Sequence, residues 1–280
     1  MALNYANEAA LRQEIVRVGQ LMYDKSLVIG RDGNISARLN DHHILITPSG
    51  LCKGMMTEDQ LIIIDMAGNR VDQPTPANKH LRPTSEITMH LEAYKQRPDI
   101  GGVVHAHPPH AIALSIANIS LAECMLPEAI IFLGIIQTTP YATPSSPENA
   151  AAIRNVIGNH DGIVLQRHGS LTVGNDPLDA FFKTETLEQI SRITYMMQSL
   201  GEGEPIPPHQ VEKLMSLRES LGLAHPGEEA EFCEVCGVCH PQLSPPQPTL
   251  KNVNPTVMPE DELVHLISQQ VIDKLAKLEV

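Results

Sequence analysis

Short apolar runs alternate with stretches of helical periodicity along most of this chain. Leu11, Ile15, Val18 and Met22 recur every three to four residues, which predicts an amphipathic first helix that packs on a sheet. Strand candidates lie at residues 44–46, 61–65, 101–104, 131–136 and 162–168, and further helices are predicted at residues 111–119, 147–156 and 178–197. Helices that interleave with strands in this way are typical of a three-layer α/β domain.

Two of the predicted helices begin at residues suited to helix N-termini. Asp176 followed by Pro177 predicts the start of the last helix, because Asp is a good N-cap and Pro fits the first turn. The predicted packed face of that helix comprises Leu178, Phe182, Ile190, Ile193 and Met197. Thr84 or Ser85 has the right chemistry to cap a helix that carries Met89 and Ala93.

A pair of histidines closes the predicted strand at residues 101–104. His105 and His107 are two residues apart, so their side chains share one face of the strand and form half of a metal site. His168 ends another apolar run in the same manner and offers a third nitrogen, and Glu86 offers a carboxylate. A single histidine at a strand end is more often a surface residue, and we interpret His90 and residues 41–43 as solvent-facing. Three imidazoles with one open position are the ligand set of catalytic zinc.

These residues resemble the class II aldolase/adducin family. Glu86, His-Ala-His at 105–107 and the pair His168 and Gly169 occur in the family's order, and the likeness runs from about Leu11 to Gly222. The resemblance implies a three-layer α/β/α domain over residues 1–222, with a central mixed, mostly antiparallel sheet. It also implies Zn²⁺ or another divalent metal on the three histidines, with Glu86 as a resting ligand and catalytic proton carrier, and a homotetramer.

Neutral hydrogen-bond donors form a second part of the resemblance. The loop at residues 30–36 contains two glycines, and its backbone amides can face an anion. The residues that match the family's phosphate-binding elements are Asn34, Ser49, Gly50, Thr84 and Ser85. Many neutral donors can bind a phosphate without a dominant single charge.

The reaction implied by the resemblance is the reversible cleavage of a phosphorylated ketose, such as fuculose 1-phosphate, to dihydroxyacetone phosphate and an aldehyde. The alternatives within the family are a pentulose-5-phosphate 4-epimerase and a sugar-phosphate dehydratase. An adducin-like binding module is a non-enzymatic alternative, but such modules lack the metal ligands. Two tyrosines of the aldolases have no counterpart here, since residues 125–128 and 219–222 contain no tyrosine, so the sugar remains open.

Composition limits the classes of partner. A formal charge of −13 argues against a nucleic-acid-binding protein, which needs a basic surface. No apolar run approaches the 18 or so residues that span a bilayer, and the first residues do not form a signal peptide. We therefore expect a cytoplasmic enzyme. Its five cysteines are an odd number, which speaks against a disulfide framework in a reducing compartment.

The character of the chain changes after Gly222. Residues 223–240 form a Cys-rich segment in which Cys233, Cys236, Cys239 and His240 have the spacing of a second Zn²⁺ site or of part of an iron–sulfur cluster. A cysteine from a neighbouring subunit could complete a zinc site, and a cluster of free reactive thiols is the alternative. Residues 241–258 predict a Pro-rich linker.

Residues 259–280 predict a short amphipathic helix, with acidic residues first and lysines last. Such a helix either docks on its own domain or serves as a ligand for another protein's groove. The linker and helix together resemble the encapsulation peptides of bacterial microcompartment cargo enzymes. That resemblance implies a shell protein as partner and the microcompartment lumen as a location.

Overall fold

The computed structural model describes residues 7–201 and 203–239. Seven strands are formed by Asn34–Arg38 (β1), His43–Ile46 (β2), Ile62–Asp65 (β3), Gly102–Ala106 (β4), Gln137–Thr139 (β5), Gly162–Leu165 (β6) and Gly169–Gly174 (β7). The α-helices are Glu8–Asp24 (α1), Ile87–Gln96 (α2), Pro109–Ile116 (α3), Pro147–Arg154 (α4), Pro177–Leu200 (α5), Pro208–Ser220 (α6) and Glu228–Cys236 (α7). Short 3-10 turns lie at Lys53–Met55 and Glu58–Gln60, and a π-helical turn lies at Ala129–Leu133.

All seven strands form one sheet in the order β3-β2-β1-β4-β7-β6-β5. Every neighbouring pair is antiparallel except β5 and β6, which are parallel. The mixed, mostly antiparallel sheet predicted by the family resemblance is therefore confirmed. Strands β4 and β7 occupy the middle of the sheet.

Helices cover both faces of the sheet, which explains why its strands are apolar runs and not simple alternations. On one face, Ile44 and Val103 pack with α2 and α4. On the other face, Leu45 and Val104 pack with α1 and with Phe181 of α5. The predicted apolar stripe of α1 is buried there, with Ile15 and Val18 fully inaccessible. Since Val103 faces α2, period two places His105 on that same side of β4.

Two expectations about secondary structure are wrong. The apolar run at residues 131–136 does not form a strand, because residues 131–133 belong to the π-helical turn, which is capped by Gly134 with a φ of +71° before β5 begins. A short apolar run has the same composition in a buried strand and in a buried turn of helix, so periodicity could not separate them. Glu86, and neither Thr84 nor Ser85, occupies the N-cap of α2, although Thr84 Oγ1 accepts a hydrogen bond from the backbone N–H of Glu86.

Helix α5 begins as predicted, but the predicted packed face was wrong at Phe182. The Asp176 carboxylate accepts from the backbone N–H of Asp179, and Pro177 follows in the first turn. Phe182 is half exposed, whereas the neighbouring Phe181 is buried. The buried side of the helix is formed largely by Ala180, Phe181, Thr184, Leu187, Ile190, Ser191 and Thr194. Small and hydroxyl residues at these positions let the helix approach the sheet closely, a signal that hydrophobicity alone overlooks.

The segment after α5 packs on the rest of the unit through its own apolar cluster. Val211 of α6 and Phe232 of α7 are fully buried against Ile130 and Ile135. The buried guanidinium of Arg218 pairs with Glu228 at 3.1 Å and also donates to a backbone carbonyl oxygen in the π-helical turn. Among the described residues, no helix combines the length and apolar character needed to cross a bilayer.

Four of the five cysteines are paired, three of them in this segment and Cys124 in the connection before the π-helical turn. Disulfides join Cys124 to Cys236 and Cys233 to Cys239, and Cys52 is the free cysteine among the described residues. The odd count was expected to speak against a disulfide framework, and this expectation is wrong for this structure, because one cysteine stands apart and the other four form two pairs. His240, the linker at 241–258 and the helix predicted at 259–280 lie outside the described residues, so those hypotheses stay predictions.

Candidate metal centre and active site

Three histidines predicted as metal ligands meet at the end of the central strands. One ligand atom from each of His105, His107 and His168 lies within 4.8 Å of the others, and the Nε2 atoms of His105 and His107 are 3.1 Å apart. His105 ends β4, His107 follows it on the same face, and His168 lies in the turn between β6 and β7. The pairing of β4 with β7 thus assembles the cluster.

Gly169 makes this approach possible. Ala106 pairs with Ser170 in the β4–β7 ladder, directly beside the histidines. A Cβ at Gly169 would collide with the carbonyl oxygen of Ala106 and would lie 3.0 Å from the His107 ring. The pair His168-Gly169 in the sequence therefore combines a ligand with the glycine that lets the two strands carry it into place.

Glu86 completes the cluster from the N-terminus of α2. Its carboxylate oxygens lie 3.0 Å from His105 Nε2 and 3.3 Å from His168 Nε2. Burial alone would raise the pKa of this carboxyl group, but the neighbouring His105 and a hydrogen bond from Asn34 hold the pKa well below its usual value. Glu86 is therefore an anion at neutral pH.

The donor set fits a divalent metal such as zinc. His105 Nδ1 donates to the carbonyl oxygen of Ser170 at 2.8 Å, so Nε2 is the atom that faces the cluster and would bind a metal once its proton is displaced. Burial, followed by the proximity of His105, lowers the pKa of His107 and of His168 to about 4, so both imidazoles are neutral at pH 7. Glu86 Oε1 is buried without a hydrogen-bond donor, as expected of an oxygen that awaits a cation. Neutral imidazoles and a carboxylate are ligands that zinc prefers.

The residues predicted to bind phosphate surround the same centre. An open cleft of about 210 Å³ is lined by Asn34, Ser49, Gly50, Thr84 and Ser85 together with Glu86, His107 and His168. The structure thus brings all five predicted residues to one cleft. Whether they hold a phosphate stays a prediction.

Sequence reasoning missed several further residues of this cleft. Lys53 lines it, and its ammonium donates to the backbone carbonyls of Arg31 and Leu51. Burial lowers the pKa of Lys53 to about 8. Ser145 also lines the cleft and donates from its hydroxyl to Ser85 Oγ at 2.9 Å. No motif marks either residue, because long-range packing brings both to the cleft.

A chain of buried hydrogen bonds leads from Glu86 into the core. Asn34 Nδ2 donates to Glu86 Oε2 at 3.0 Å, and Asn34 Oδ1 accepts from His90 Nε2. His90 Nδ1 then accepts from Ser36 Oγ at 2.7 Å, and Ser36 Oγ lies 3.0 Å from the Tyr94 hydroxyl, which donates to it. The asparagine therefore orients the carboxylate, in addition to lining the cleft.

The interpretation of His90 as solvent-facing was wrong. Its side chain is completely buried, and burial lowers its pKa to about 3, so the imidazole is neutral. The sequence did hold a signal, since Glu86 and His90 are four residues apart and share one face of α2.

Comparison with known proteins gives the family. The model of the class II aldolase and adducin N-terminal domain matches residues 13–195. This chain belongs to that family. An L-fuculose phosphate aldolase of Methanococcus vannielii is 33% identical over 190 residues, which cover 68% of this chain and 98% of the relative.

Family members with different activities are similar to this chain. A 3-oxo-tetronate 4-phosphate decarboxylase of Haemophilus influenzae is 30% identical over 68% of this chain and 90% of its own length. The crystal structure of L-fuculose-1-phosphate aldolase from Thermus thermophilus matches with a TM-score of 0.58 at 26% identity, over 71% of this chain and all of that one. The family region ends at residue 195, so α6, α7 and their cysteines lie beyond the matched domain.

Proposed function

We propose that this class II aldolase family member is a metal-dependent lyase that cleaves a phosphorylated ketose to dihydroxyacetone phosphate and an aldehyde. The observation that supports this proposal best is the convergence of His105, His107, His168 and Glu86, the last three of which line one donor-rich cleft. Three histidines leave an open position for substrate, as in catalytic metal sites. A binding module of the adducin kind would have no need for such a ligand set.

A divalent cation on the three imidazoles would act as a Lewis acid that stabilises negative charge on the substrate's carbonyl oxygen. Cleavage of the carbon–carbon bond leaves an electron pair on the three-carbon phosphate half, which must then accept a proton. Glu86 is positioned to carry that proton on Oε1, because Oε2 is held by Asn34 while Oε1 has no hydrogen-bond donor.

The neutral donors of the cleft would hold the phosphate. The hydroxyls of Ser49, Thr84 and Ser85 and the backbone at Gly50, where φ is +81°, face the same space as the ligand histidines. Phosphate held there places the carbonyl end of a ketose phosphate at the metal centre. Orientation of this kind supplies a large share of the rate enhancement in enzymes.

The preferred substrate in this proposal is fuculose 1-phosphate or a similar deoxyketose phosphate, with lactaldehyde as the aldehyde product. The similar L-fuculose phosphate aldolases support this choice. The similar decarboxylases support a second candidate, release of carbon dioxide from a 3-oxo acid phosphate. Both reactions leave the electron pair on the same three-carbon half and differ in the fragment that departs.

A panel of substrates tests the proposal. Metal-analysed protein would be incubated with fuculose 1-phosphate, rhamnulose 1-phosphate, ribulose 5-phosphate and 3-oxo-tetronate 4-phosphate, while dihydroxyacetone phosphate is measured by coupled reduction. Glu86→Gln is expected to lower kcat by about 100-fold or more, since the proton carrier is lost. His105→Ala is expected to remove activity together with the metal of the histidine centre. His43→Ala, in a half-buried histidine of β2, is the matched control.

The outcomes separate the candidates. Triose phosphate from a ketose phosphate supports the aldolase, and triose phosphate from the 3-oxo acid alone moves the assignment to the decarboxylase. Bound metal without any triose phosphate favours the epimerase or dehydratase, and wild-type rates in Glu86→Gln would contradict the mechanism.

We further propose that the enzyme works as a homotetramer and that residues 259–280 recruit it to a microcompartment shell protein. The first idea rests on the family resemblance, and the second on the amphipathic pattern of the tail. An enclosed compartment would suit a reaction that releases a reactive aldehyde.

A further inference from the structure

Four cysteines converge on one side of α7. Cys233 and Cys236 lie one helical turn apart on that helix, Cys239 follows three residues later, and Cys124 comes from the connection between α3 and the π-helical turn. The Cα atoms are 5.9 Å apart for Cys124 and Cys236 and 5.0 Å apart for Cys233 and Cys239.

The two pairs meet at one place. Residues three apart on a helix share a face, so the sulfurs of Cys233 and Cys236 point to the same side of α7. Each of these sulfurs has a partner, Cys239 and Cys124 respectively, and Cys124 is only 3% exposed. Cys233 and Cys236 are partly buried against the surrounding apolar cluster, which includes Phe232, and Cys239 is exposed at its edge. Both pairs therefore start from the same side of α7, which brings four sulfurs to that side of the helix.

We propose that in the reduced chain these four sulfurs bind one Zn²⁺ as thiolates, forming a structural site separate from the histidine centre. Two equivalents of a phosphine or dithiol reductant convert the two disulfides into four thiols, and zinc then displaces their four protons. Four protein thiolates fill every position of a tetrahedral ion, which is the closed arrangement of structural zinc and leaves no position for substrate. Cys124 takes the place that the sequence pattern offered to His240.

Three observations support zinc as the occupant. The spacing Cys-x-x-Cys-x-x-Cys places three ligands within seven residues, while Cys124 anchors them to the family domain from 112 residues away in sequence. As a disulfide, the pair Cys233–Cys239 closes a short loop with a sequence separation of 6. Cross-linking so short a loop adds least to the free energy of unfolding. As ligands, the same two residues complete a coordination shell.

An acidic approach leads to the cluster. Cys239 lies in the wall of an open surface cleft of about 530 Å³, which Glu212, Glu219 and Glu229 also line. Carboxylates at the mouth of such a cleft raise the local concentration of divalent cations. The cleft therefore offers an entry path for the ion.

The site would fasten α7 against the edge of the sheet. Glu231 of α7 accepts from His160 Nε2 at 2.9 Å and contacts the side chain of Gln137 at 3.5 Å. Gln137 begins β5, the edge strand that leads into the Ser145 wall of the active-site cleft. Zinc bound by α7 would therefore fix this helix in the position in which it covers the edge strand.

Metal content and a spectroscopic signature test this inference. Full-length protein would be purified anaerobically with a phosphine reductant, which binds zinc less strongly than dithiols do. We expect two zinc ions per chain in the wild type and in the control Cys52→Ser, and one in Cys124→Ser. His105→Ala is expected to keep the cysteine-bound ion.

Cobalt distinguishes the two sites even where a variant fails to fold. Cobalt-loaded wild type and His105→Ala are expected to show an intense thiolate-to-cobalt charge-transfer band in the near ultraviolet, which three histidines cannot produce. Absence of that band from reduced, cobalt-loaded wild type would overturn the inference. So would alkylation of Cys52 alone after denaturation of the anaerobically reduced protein, or iron and sulfide in place of zinc.

Discussion

The Glu86 carboxylate is oriented by Asn34 and, behind it, by His90, Ser36 and Tyr94, which do not line the cleft. Because Asn34 Oδ1 is an acceptor, His90 carries its proton on Nε2, and its Nδ1 must accept from Ser36. Each donor in the chain from Tyr94 to Asn34 therefore points toward Glu86. The neutral tautomer of one buried imidazole fixes which carboxylate oxygen is restrained and which is left for the proton.

Replacing His90 tests this arrangement. His90→Leu removes both hydrogen bonds of the ring and leaves the buried Asn34 and Ser36 groups unsatisfied, so we expect the free energy of unfolding to fall by about 2–4 kcal/mol. We also expect kcat to fall more than KM rises, since the proton carrier loses its orientation. Urea denaturation and steady-state kinetics measure the two effects.

Tyr94→Phe is the matched control for that variant. It removes only the last donor of the chain, and it is expected to cost about 1 kcal/mol with little change in kcat. If His90→Leu destabilised the protein but retained wild-type kcat, the orienting role of His90 would be contradicted and a purely structural role would remain.

The sequence predicted which residues converge at the candidate metal centre but not the groups that orient them. His105, His107, His168 and Glu86 could be found because strand periodicity and the family's order mark them. His90 was misplaced because its spacing from Glu86 shows only that the two share a helix face, whereas its hydrogen-bond partner Asn34 comes from another element. Tertiary packing, and not local sequence, decides which residues of other elements become its hydrogen-bond partners.

At the scale of elements, one buried carboxylate joins four segments. Asp161 directly precedes β6, and its oxygens lie 3.0 Å from Arg97 at the end of α2, 2.8 Å from Lys183 of α5 and 3.1 Å from His225 between α6 and α7. Burial alone would raise the pKa of Asp161, but His225 and Lys183 hold it well below its usual value. The family domain and the appended helices thus share an electrostatic anchor.

The depressed pKa predicts a stability loss in acid. The folded state binds fewer protons than the unfolded state near the unfolded pKa of about 4, so the contribution of Asp161 is present above that pH and is lost as the pH falls below it. Asp161→Asn is expected to cost about 3 kcal/mol at pH 7, because it leaves buried cations without their carboxylate. The variant should also lose less stability than the wild type between pH 5 and pH 3.

Denaturant unfolding at several pH values measures both effects. Asp99→Asn is the control, since Asp99 also pairs with Arg97 but its side chain is 59% exposed, so solvent screens the pair. Parallel stability profiles of wild type and Asp161→Asn across the acidic range would contradict the prediction.

The sequence predicted the elements whose buried faces show an apolar periodicity. It did not predict the features that depend on local backbone conformation or on close packing between elements. Helix α1 and the strands around the centre followed their patterns. The π-helical turn before Gly134 and the small-residue face of α5 depended on close approach between elements, for which composition gives no signal.

At the scale of the whole molecule, the chain combines a family domain with a segment that the family does not match. Residues 13–195 carry the sheet and the site, and α6 and α7 follow that domain. The microcompartment hypothesis for residues 259–280 is separable from catalysis. Their deletion is expected to leave kcat and KM unchanged and to abolish co-localisation with shell protein.

Fluorescence microscopy of tagged full-length and truncated chains measures that prediction. A truncated chain that still co-localises with shell protein would rule out the tail as the recruiting element. A variant that keeps the acidic start and the lysines at the end of this segment, but in which Leu263 and Ile267 are changed to Ser, tests the apolar stripe. It would show whether that stripe, and not the length of the segment, is needed for co-localisation.

His105 and His107 lie at the end of β4, and His168 lies in the turn that leads into β7. Both strands are at the middle of the sheet, each paired with a neighbour on either side. Amides of central strands exchange with solvent only when a protein opens globally, whereas edge strands open locally. The metal centre should therefore survive every partial opening of the fold. Heat would inactivate such an enzyme in a single cooperative step that coincides with melting of the sheet. Substrate or metal would raise the inactivation temperature and the melting temperature by the same amount.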